Sequence, residues 1–261
     1  MCLILFALQQ HPDFPLIVAA NRDEFFARPT RPASFWPDHP ELYAGLDLEA
    51  GGTWLGINRS GQFSALTNFR EPGSIQTQSQ KASRGELPSH FLMDPETRIE
   101  SYFSQLQASR HHYNGYNLLC GSPQQLGYYS NRGEADPRLQ EGIYGLSNGL
   151  INTPWPKVAT GKQALADTLK TTSPDPDQLA LALFELLGCS EQAPDHQLPD
   201  TGVGLEWERT LSPRFIRGDV YGTRTSTVVL FSAQGPVRFF ERNFNEKAEV
   251  TSQSFELLNP D

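Results

Sequence analysis

The order of strand and helix patterns along the 261 residues predicts an α+β fold, in which two antiparallel sheets stack face to face and helices cover both outer faces. Strand patterns fill the N-terminal third, helix patterns follow, and the two kinds alternate once more before strands end the chain. A chain of this length can bury most of its apolar surface without a disulfide or a metal. We find no linker and no internal repeat, so the sequence predicts one αββα domain over residues 1–261.

Four apolar segments in the N-terminal third predict strands. They are bounded by Pro, Gly, Asn and Asp, which are typical of turns. The segments are residues 2–9, 16–21, 51–58 and 62–68. Asn and Gly in the turn between the last two favour a tight hairpin.

Two segments in this third of the chain lack a regular pattern. Residues 28–40 carry four prolines, which predicts an irregular loop over the surface. Residues 70–83 are polar and contain few apolar side chains, which predicts a flexible loop. We therefore expect no regular element in either segment.

Three helix patterns follow, and two of them begin with the same signal. Asp94 and Asp175 are each followed by Pro, as is typical of an N-cap and a first helical residue. The helix after Asp94 would place Ile99, Phe103 and Leu106 on one face. A further helix is predicted at 157–171, and further strands at 116–121, 126–131, 142–147, 221–232 and 237–244.

Charge and cysteine content exclude several classes of function. The 30 acidic and 21 basic residues give a net charge of −9 without a basic run, which argues against nucleic acid and against an anionic membrane as partner. Cys2, Cys120 and Cys189 are scattered and form no CxxC, which argues against a disulfide framework or a metal site and favours a reducing cytoplasm. The chain is therefore expected to be cytoplasmic and to act on a small molecule, in an oligomeric state that stays open.

Targeting and membrane signals are not evident in the sequence. The N-terminal apolar run ends at Gln9 and lacks the basic region of a signal peptide. No stretch reaches the roughly 18 apolar residues that a membrane span requires. We therefore expect neither a signal peptide nor a membrane span.

Cys2 is the strongest candidate for chemistry. If the initiator Met is removed, which a small second residue favours, Cys2 carries a thiol and a free α-amine on one residue. The ordinary pKa values of these groups, about 8.5 and about 7.7–8.0, both lie near neutral pH. The amine could therefore accept the thiol proton and later deliver it to a leaving group. The alternative is that Cys2 is a small apolar residue in a buried strand.

Two charged residues would lie beside Cys2 if the first two strands pair. The strand at 16–21 runs directly into Arg22 and Asp23. Arg22 could favour the thiolate through its charge, and Asp23 could hold the ammonium group or orient the thiol. The alternative is a solvated polar turn after the strand.

Three further residues are candidates for the same site. Asn68 and Asn148 end strand patterns, and their amides could donate to a developing oxyanion, although Asn is also typical of turns. Arg224 leads into an apolar strand, so we expect it to be partly buried beside a carboxylate or carbonyl partner. A structural ion pair with Asp23 or Glu24 would satisfy it as well as a role in catalysis would.

Short motifs along nearly the whole chain resemble those of one family. They include Ala20-Asn21-Arg22-Asp23-Glu24 and the segments 1–2, 28–30, 51–56, 66–68, 83–85, 116–118, 145–148, 154–157, 198–202, 206–209 and 221–224. On these motifs the chain is identified as a member of the NRDE family, also called the transport-and-Golgi-organisation-two family. The resemblance implies an αββα sandwich similar to that of N-terminal-nucleophile hydrolases, in agreement with the order of elements.

The resemblance also implies a hydrolase site. The broader fold group includes bile-salt hydrolases and penicillin V acylases, whose Cys, Arg, Asp, late Asn and late Arg correspond to Cys2, Arg22, Asp23, Asn148 and Arg224. It thereby implies an amidohydrolase or acyltransferase that acts on non-peptide amide or thioester bonds and requires no cofactor. One departure from that pattern is that Arg22 and Asp23 are adjacent, so in a strand their side chains point to opposite faces.

A second class of function follows from the same family. Its members are linked to haem mobilisation and to lipid or coenzyme A metabolism, which implies a non-catalytic carrier with haem as a possible cargo. Two expectations can be checked in either case. Strands 2–9, 16–21 and 221–232 should be neighbours, and one pocket should bring together Cys2, Asp23, Asn148 and Arg224.

Overall fold

A computed structural model describes residues 2–71 and 81–259. The strands in these ranges are β1 (Cys2–Leu8), β2 (Leu16–Phe25), β3 (Thr30–Trp36), β4 (His39–Asp47), β5 (Leu55–Asn58), β6 (Phe63–Asn68), β7 (Tyr116–Ser122), β8 (Gln125–Ser130), β9 (Gly142–Leu146), β10 (Tyr221–Phe231), β11 (Val237–Phe244) and β12 (Val250–Leu258). The α-helices are α1 (Glu86–Met93), α2 (Ile99–Ser109), α3 (Pro156–Thr171), α4 (Pro176–Leu187) and α5 (Leu205–Leu211). Most of the loop expected at 70–83 lies outside the described residues.

The strands form two six-stranded antiparallel sheets. The order of the first sheet is β12-β11-β10-β2-β1-β9, and the order of the second is β3-β4-β5-β6-β7-β8. In the first sheet β2 pairs with β1 on one side and with β10 on the other. This confirms the expectation that strands 2–9, 16–21 and 221–232 are neighbours.

Buried side chains fall into three large clusters that fill the spaces between four layers. The cluster between the two sheets includes Ile4 from β1 and Leu119 from β7. On the outer face of the first sheet, Leu3 packs in a cluster with Val158 of α3 and with residues of α4. On the outer face of the second sheet, Leu118 packs with residues of α1 and α2. The fold is therefore a four-layer αββα sandwich of the α+β class, as the sequence predicts.

β1 is buried on both faces because it lies between the intersheet core and the helices. All of its residues are buried, from Cys2 to Leu8. This explains why its sequence is a continuous apolar run instead of an alternating pattern. Each fully buried Leu, Ile or Phe side chain contributes about 1.5–3 kcal/mol to stability, so the strand that carries Cys2 is firmly anchored. Within the described residues, no helix is both long and apolar enough to cross a membrane.

Residues 28–40 form strands instead of the predicted irregular loop. β3 covers most of this segment, and β4 begins within it. β3 is the edge strand of its sheet, and the exposed Pro32 lies where its register shifts, between Arg31 and Ser34. Edge strands and irregular positions accommodate proline because no ladder hydrogen bond is lost there. The prediction was wrong because the local sequence does not show where a strand lies in its sheet.

Two predicted element starts also differ from the structure. Asp94 accepts hydrogen bonds from the Glu96 amide and the Thr97 hydroxyl, so it forms a turn, and α2 begins only at Ile99. In contrast, Asp175 accepts from the Gln178 amide and caps α4 as predicted. α1, α5 and β12 are not among the elements predicted from the sequence.

The predicted strand at 51–58 is shortened to β5, because its first glycines leave the extended conformation. Gly51 and Gly52 have φ angles of +70° and +79°, in the left-handed region that favours glycine. A Cβ atom on Gly52 would lie 2.3 Å from the carbonyl oxygen of Gly85. The same carbonyl accepts a 2.9 Å hydrogen bond from the Thr53 amide. This close backbone contact joins the loop before β5 to the start of α1.

We predict that Gly52→Ala destabilises the protein clearly more than Gly51→Ala. A Cβ on Gly51 would meet nothing within 4 Å, so alanine there costs mainly the left-handed conformation, about 1–2 kcal/mol. Alanine at Gly52 has a similar conformational cost and also overlaps the Gly85 backbone. Urea unfolding of both variants measures the difference in the free energy of unfolding. Equal losses in the two variants would contradict the close contact.

Candidate active site

A cavity of about 150 Å³ lies between the two sheets, at the end of β1 that carries Cys2. Residues of β1, β2, β10 and β11 line it from the first sheet, and residues of β3, β4 and β6 line it from the second. The segment before α1 forms a further part of its wall. Four of the six candidate residues from the sequence are among the lining: Cys2, Arg22, Asp23 and Asn68.

Cys2 is held opposite Arg22 by the antiparallel register of β1 and β2. Its carbonyl accepts a 3.0 Å hydrogen bond from the Ser147 hydroxyl, which fixes the backbone at the start of β1. Burial raises the pKa of the Cys2 thiol, and Asp23 and Glu24 raise it further, while Arg22 lowers it. The thiol is therefore protonated at neutral pH and requires a base before it can act as a nucleophile.

Arg22 and Asp23 point to opposite faces of β2, as expected for adjacent strand residues. The Arg22 guanidinium lies toward the second sheet, with its Nη2 atom 3.7 Å from Oδ2 of Asp47 in β4 and 3.9 Å from Oε2 of Glu24. The Asp23 carboxylate lies on the face that α3 covers, 3.9 Å from the Nζ atom of Lys157. Cys2 is thus flanked by a cation on one side of the strand and by a carboxylate on the other.

The Asp23–Lys157 pair is buried, and both side chains are almost inaccessible to solvent. The Asp23 carboxylate also accepts a 2.7 Å hydrogen bond from the Thr223 hydroxyl. Burial raises the pKa of Asp23, and Lys157 and the Thr223 hydrogen bond act against that rise. Burial lowers the pKa of Lys157 to about 8, although Asp23 favours its charged form. Each charge is therefore maintained largely by its partner.

Asn148 lies behind the cavity wall and does not line the cavity. Its buried side-chain amide donates a 2.8 Å hydrogen bond to the Asn68 carbonyl, and its own carbonyl accepts from the Arg70 amide at 2.7 Å. These bonds join the segment after β9 to the end of β6, across the two sheets. Asn148 therefore holds the backbone of Asn68, which does line the cavity.

Arg224 lies outside the cavity lining because of an irregularity in β10. The register with β2 shifts between Thr223 and Thr225, so Arg224 is an extra residue without a cross-strand partner. Its guanidinium donates to the carbonyls of Phe25 and Arg28, which confirms the expected carbonyl partner. The described residues show no ion pair of Arg224 with Asp23 or Glu24. Its contacts stabilise the turn between β2 and β3.

The expected convergence of Cys2, Asp23, Asn148 and Arg224 is thus only partly observed. Cys2 and Asp23 line one cavity. Asn148 contacts that cavity indirectly, through the backbone of Asn68. Arg224 contributes to the backbone around the cavity and not to its wall.

Several charged residues near this site are not among the candidates predicted from the sequence. They are Lys157, Arg70 and Glu208. Arg70 and Glu208 form a buried ion pair with an N–O distance of 2.8 Å. The Arg70 guanidinium also lies over the Trp155 ring at 4.7 Å. Lys157 and Glu208 belong to the motifs at 154–157 and 206–209, so the motifs themselves were the available signal.

We predict that Lys157→Met destabilises the protein by about 3 kcal/mol, because it removes the ammonium group that faces the buried Asp23 carboxylate. The double variant with Asp23→Asn removes both charges and should recover most of that loss. Urea unfolding of the wild type, the two single variants and the double variant gives the coupling energy. Additive losses in the double variant would show that the two charges do not depend on each other.

Comparisons with known proteins identify the family. The family model described as "Transport and Golgi organisation 2" matches residues 1–246. The human "Transport and Golgi organization protein 2 homolog" is 39% identical over 95% of this chain and 94% of its own length, and the mouse homologue is 38% identical over the same shares. Among solved structures, penicillin V acylase from Agrobacterium tumefaciens matches 93% of this chain and 83% of its own at 10% identity, with a TM-score of 0.49. The chain therefore belongs to the Transport and Golgi organisation 2 family.

Proposed function

We propose that the protein is an N-terminal cysteine hydrolase that cleaves a non-peptide amide or thioester bond of a small molecule. One observation carries this proposal. Cys2, which becomes the N-terminal residue once Met1 is removed, lines a cavity together with Asn68 and several charged side chains. A thiol and an α-amine on the same residue supply both the nucleophile and its base.

The first half of the reaction acylates Cys2. The α-amine accepts the thiol proton, and the thiolate attacks the substrate carbonyl, so that a C–S bond forms and the carbonyl oxygen becomes an oxyanion. The side-chain amide of Asn68 donates a hydrogen bond to this oxyanion. The C–N or C–S bond to the leaving group then breaks, and the leaving group takes the proton from the ammonium. The products are an acyl-thioester on Cys2 and a free amine or thiol.

The second half regenerates the enzyme. A water molecule attacks the thioester carbonyl while the α-amine accepts a proton from it. The C–S bond breaks, the sulfur recovers the proton, and the acyl group leaves as a carboxylic acid. An amine or thiol in place of water would give acyl transfer through the same steps.

The Asp23–Lys157 pair suits a base that must alternate between amine and ammonium. Asp23 stabilises the ammonium form, since its charge acts at the position of Cys2. An uncompensated carboxylate in this buried position would favour the charged form of the amine more strongly. Lys157 offsets part of that charge at 3.9 Å. The pair therefore places a partly compensated carboxylate beside the position of the ammonium.

The alternative of a haem or lipid carrier fits the cavity less well. The part of it that the described residues enclose, about 150 Å³, is smaller than the roughly 300–1,000 Å³ typical of pockets that bury a drug-sized ligand. Its described lining includes no histidine, and eight of the lining residues carry charged side chains. A short acyl group with polar substituents suits such a cavity better than a large apolar cofactor.

We predict that Cys2→Ala abolishes hydrolysis, because no other group supplies the attacking atom, and that Cys2→Ser retains only a trace. The measurement is a screen of small amides and thioesters against the wild type and both variants. Cys189→Ala is the matched control, since this half-buried cysteine does not line the cavity. Turnover that survives Cys2→Ala would end the nucleophile hypothesis. A carrier would instead keep its cargo affinity, which titration with haem measures on the same variant.

A further inference from the structure

The charges that line the cavity are not all paired with each other. Four arginines are among them: Arg22, Arg28, Arg31 and Arg84. Arg28 forms a 2.7 Å bond to Asp47 through its Nε atom. Arg22 lies within 4 Å of carboxylate oxygens of both Glu24 and Asp47. These two arginines and two acids therefore neutralise one another.

Arg31 and Arg84 have no such partner among the described residues, where neither forms an ion pair. The Nε atom of Arg31 is buried and makes no hydrogen bond there. Arg84 donates one 3.0 Å bond to the Gly115 carbonyl, and burial lowers its pKa while a charge on Cys2 would raise it. Residues 72–80 cannot supply a carboxylate because that segment contains neither Asp nor Glu.

The remaining acids of the lining are engaged elsewhere. Asp23 faces Lys157 on the α3 side of the sheet. Glu241 accepts 2.8 Å hydrogen bonds from the Ala33 amide and from the Asn243 side chain, and burial raises its pKa. Neither acid forms an ion pair with the two unpaired arginines. Both arginines are half-buried. Partial removal of a guanidinium group from water without a counter-charge costs free energy, which a bound anion would compensate.

We infer that this cavity binds an anion, and that the guanidinium groups of Arg31 and Arg84 hold its carboxylate or phosphate group. On the proposed function, on which this step rests, the anion is the substrate and its scissile carbonyl lies at Cys2. Arginine suits this task because its planar fork donates two parallel hydrogen bonds to either kind of anion. Leu46, Trp54 and Leu66 line the same cavity and would contact a short apolar part of the ligand.

The net charge of the whole chain does not favour anion binding by itself. A charge of −9 repels anions in general. Affinity for an anion must therefore come from a local site with fixed cations. The cavity with Arg31 and Arg84 is such a site.

The test is isothermal titration of the Cys2→Ala protein, which has no nucleophile, with inorganic phosphate and with succinate. Succinamide serves as the neutral control. We expect at least one of the two anions to bind and succinamide not to bind, and the stronger anion distinguishes a phosphate from a carboxylate ligand. Arg31→Gln and Arg84→Gln should each weaken that binding about tenfold or more, because each removes a charged hydrogen-bond donor. Arg98→Gln, at an exposed position before α2, should leave it unchanged.

Thermal unfolding shows whether each variant is folded. If a glutamine variant does not fold, the corresponding lysine variant replaces it, and it should weaken binding severalfold because lysine cannot form the two parallel bonds. The inference would be overturned if neither anion binds. It would also be overturned if substitutions of Arg31 and Arg84 leave the affinity for the anion unchanged. Because this titration requires no turnover, its failure would leave Cys2-dependent hydrolysis open, and its success would not depend on it.

Discussion

The antiparallel pairing of β1 with β2 determines where each group of the candidate site lies. This register sets Cys2 opposite Arg22 and next to Asp23. β1 cannot easily shift along β2, because its two faces are packed into two different cores and a shift would disrupt both. A shift of one residue would move Leu3 toward the intersheet core and Ile4 toward the helices. The packing of a central strand thus holds the thiol at one end of the cavity.

The two faces of β2 divide the charges around Cys2 into two groups. On the inner face, Arg22 joins a set of acids and arginines between the sheets. On the outer face, Asp23 is enclosed by α3 and β10, where Lys157 and Thr223 compensate its charge. The first group faces the space where a ligand would lie. The second group would act on the α-amine of Cys2. On the proposed function, ligand binding and proton transfer would therefore take place on opposite sides of one strand.

Much of the fold could be predicted from the sequence, because hydrophobic periodicity is a local property and the order of helix and strand patterns along the chain favours one fold class. The expectation that Arg22 and Asp23 lie beside Cys2 followed from the two apolar segments at 2–9 and 16–21, which were predicted to pair. What could not be predicted depends on contacts between distant segments. The strand β3 is stable despite its prolines because it lies at a sheet edge, and Arg224 leaves the cavity wall because β10 contains an extra residue there. Lys157 acquires its importance only because α3 packs on the outer face of the first sheet, where the Lys157 side chain meets Asp23, so the local sequence alone does not show the ion pair.

The proposed reaction requires that Cys2 carry a free α-amine. Intact-mass spectrometry of the purified native protein tests this claim most directly, because the amine exists only if Met1 has been removed. We expect a mass lower than that of the full sequence by one methionine residue. A chain that retains Met1 would contradict it, since the amine would then belong to a different residue and could not serve the Cys2 thiol as its own base.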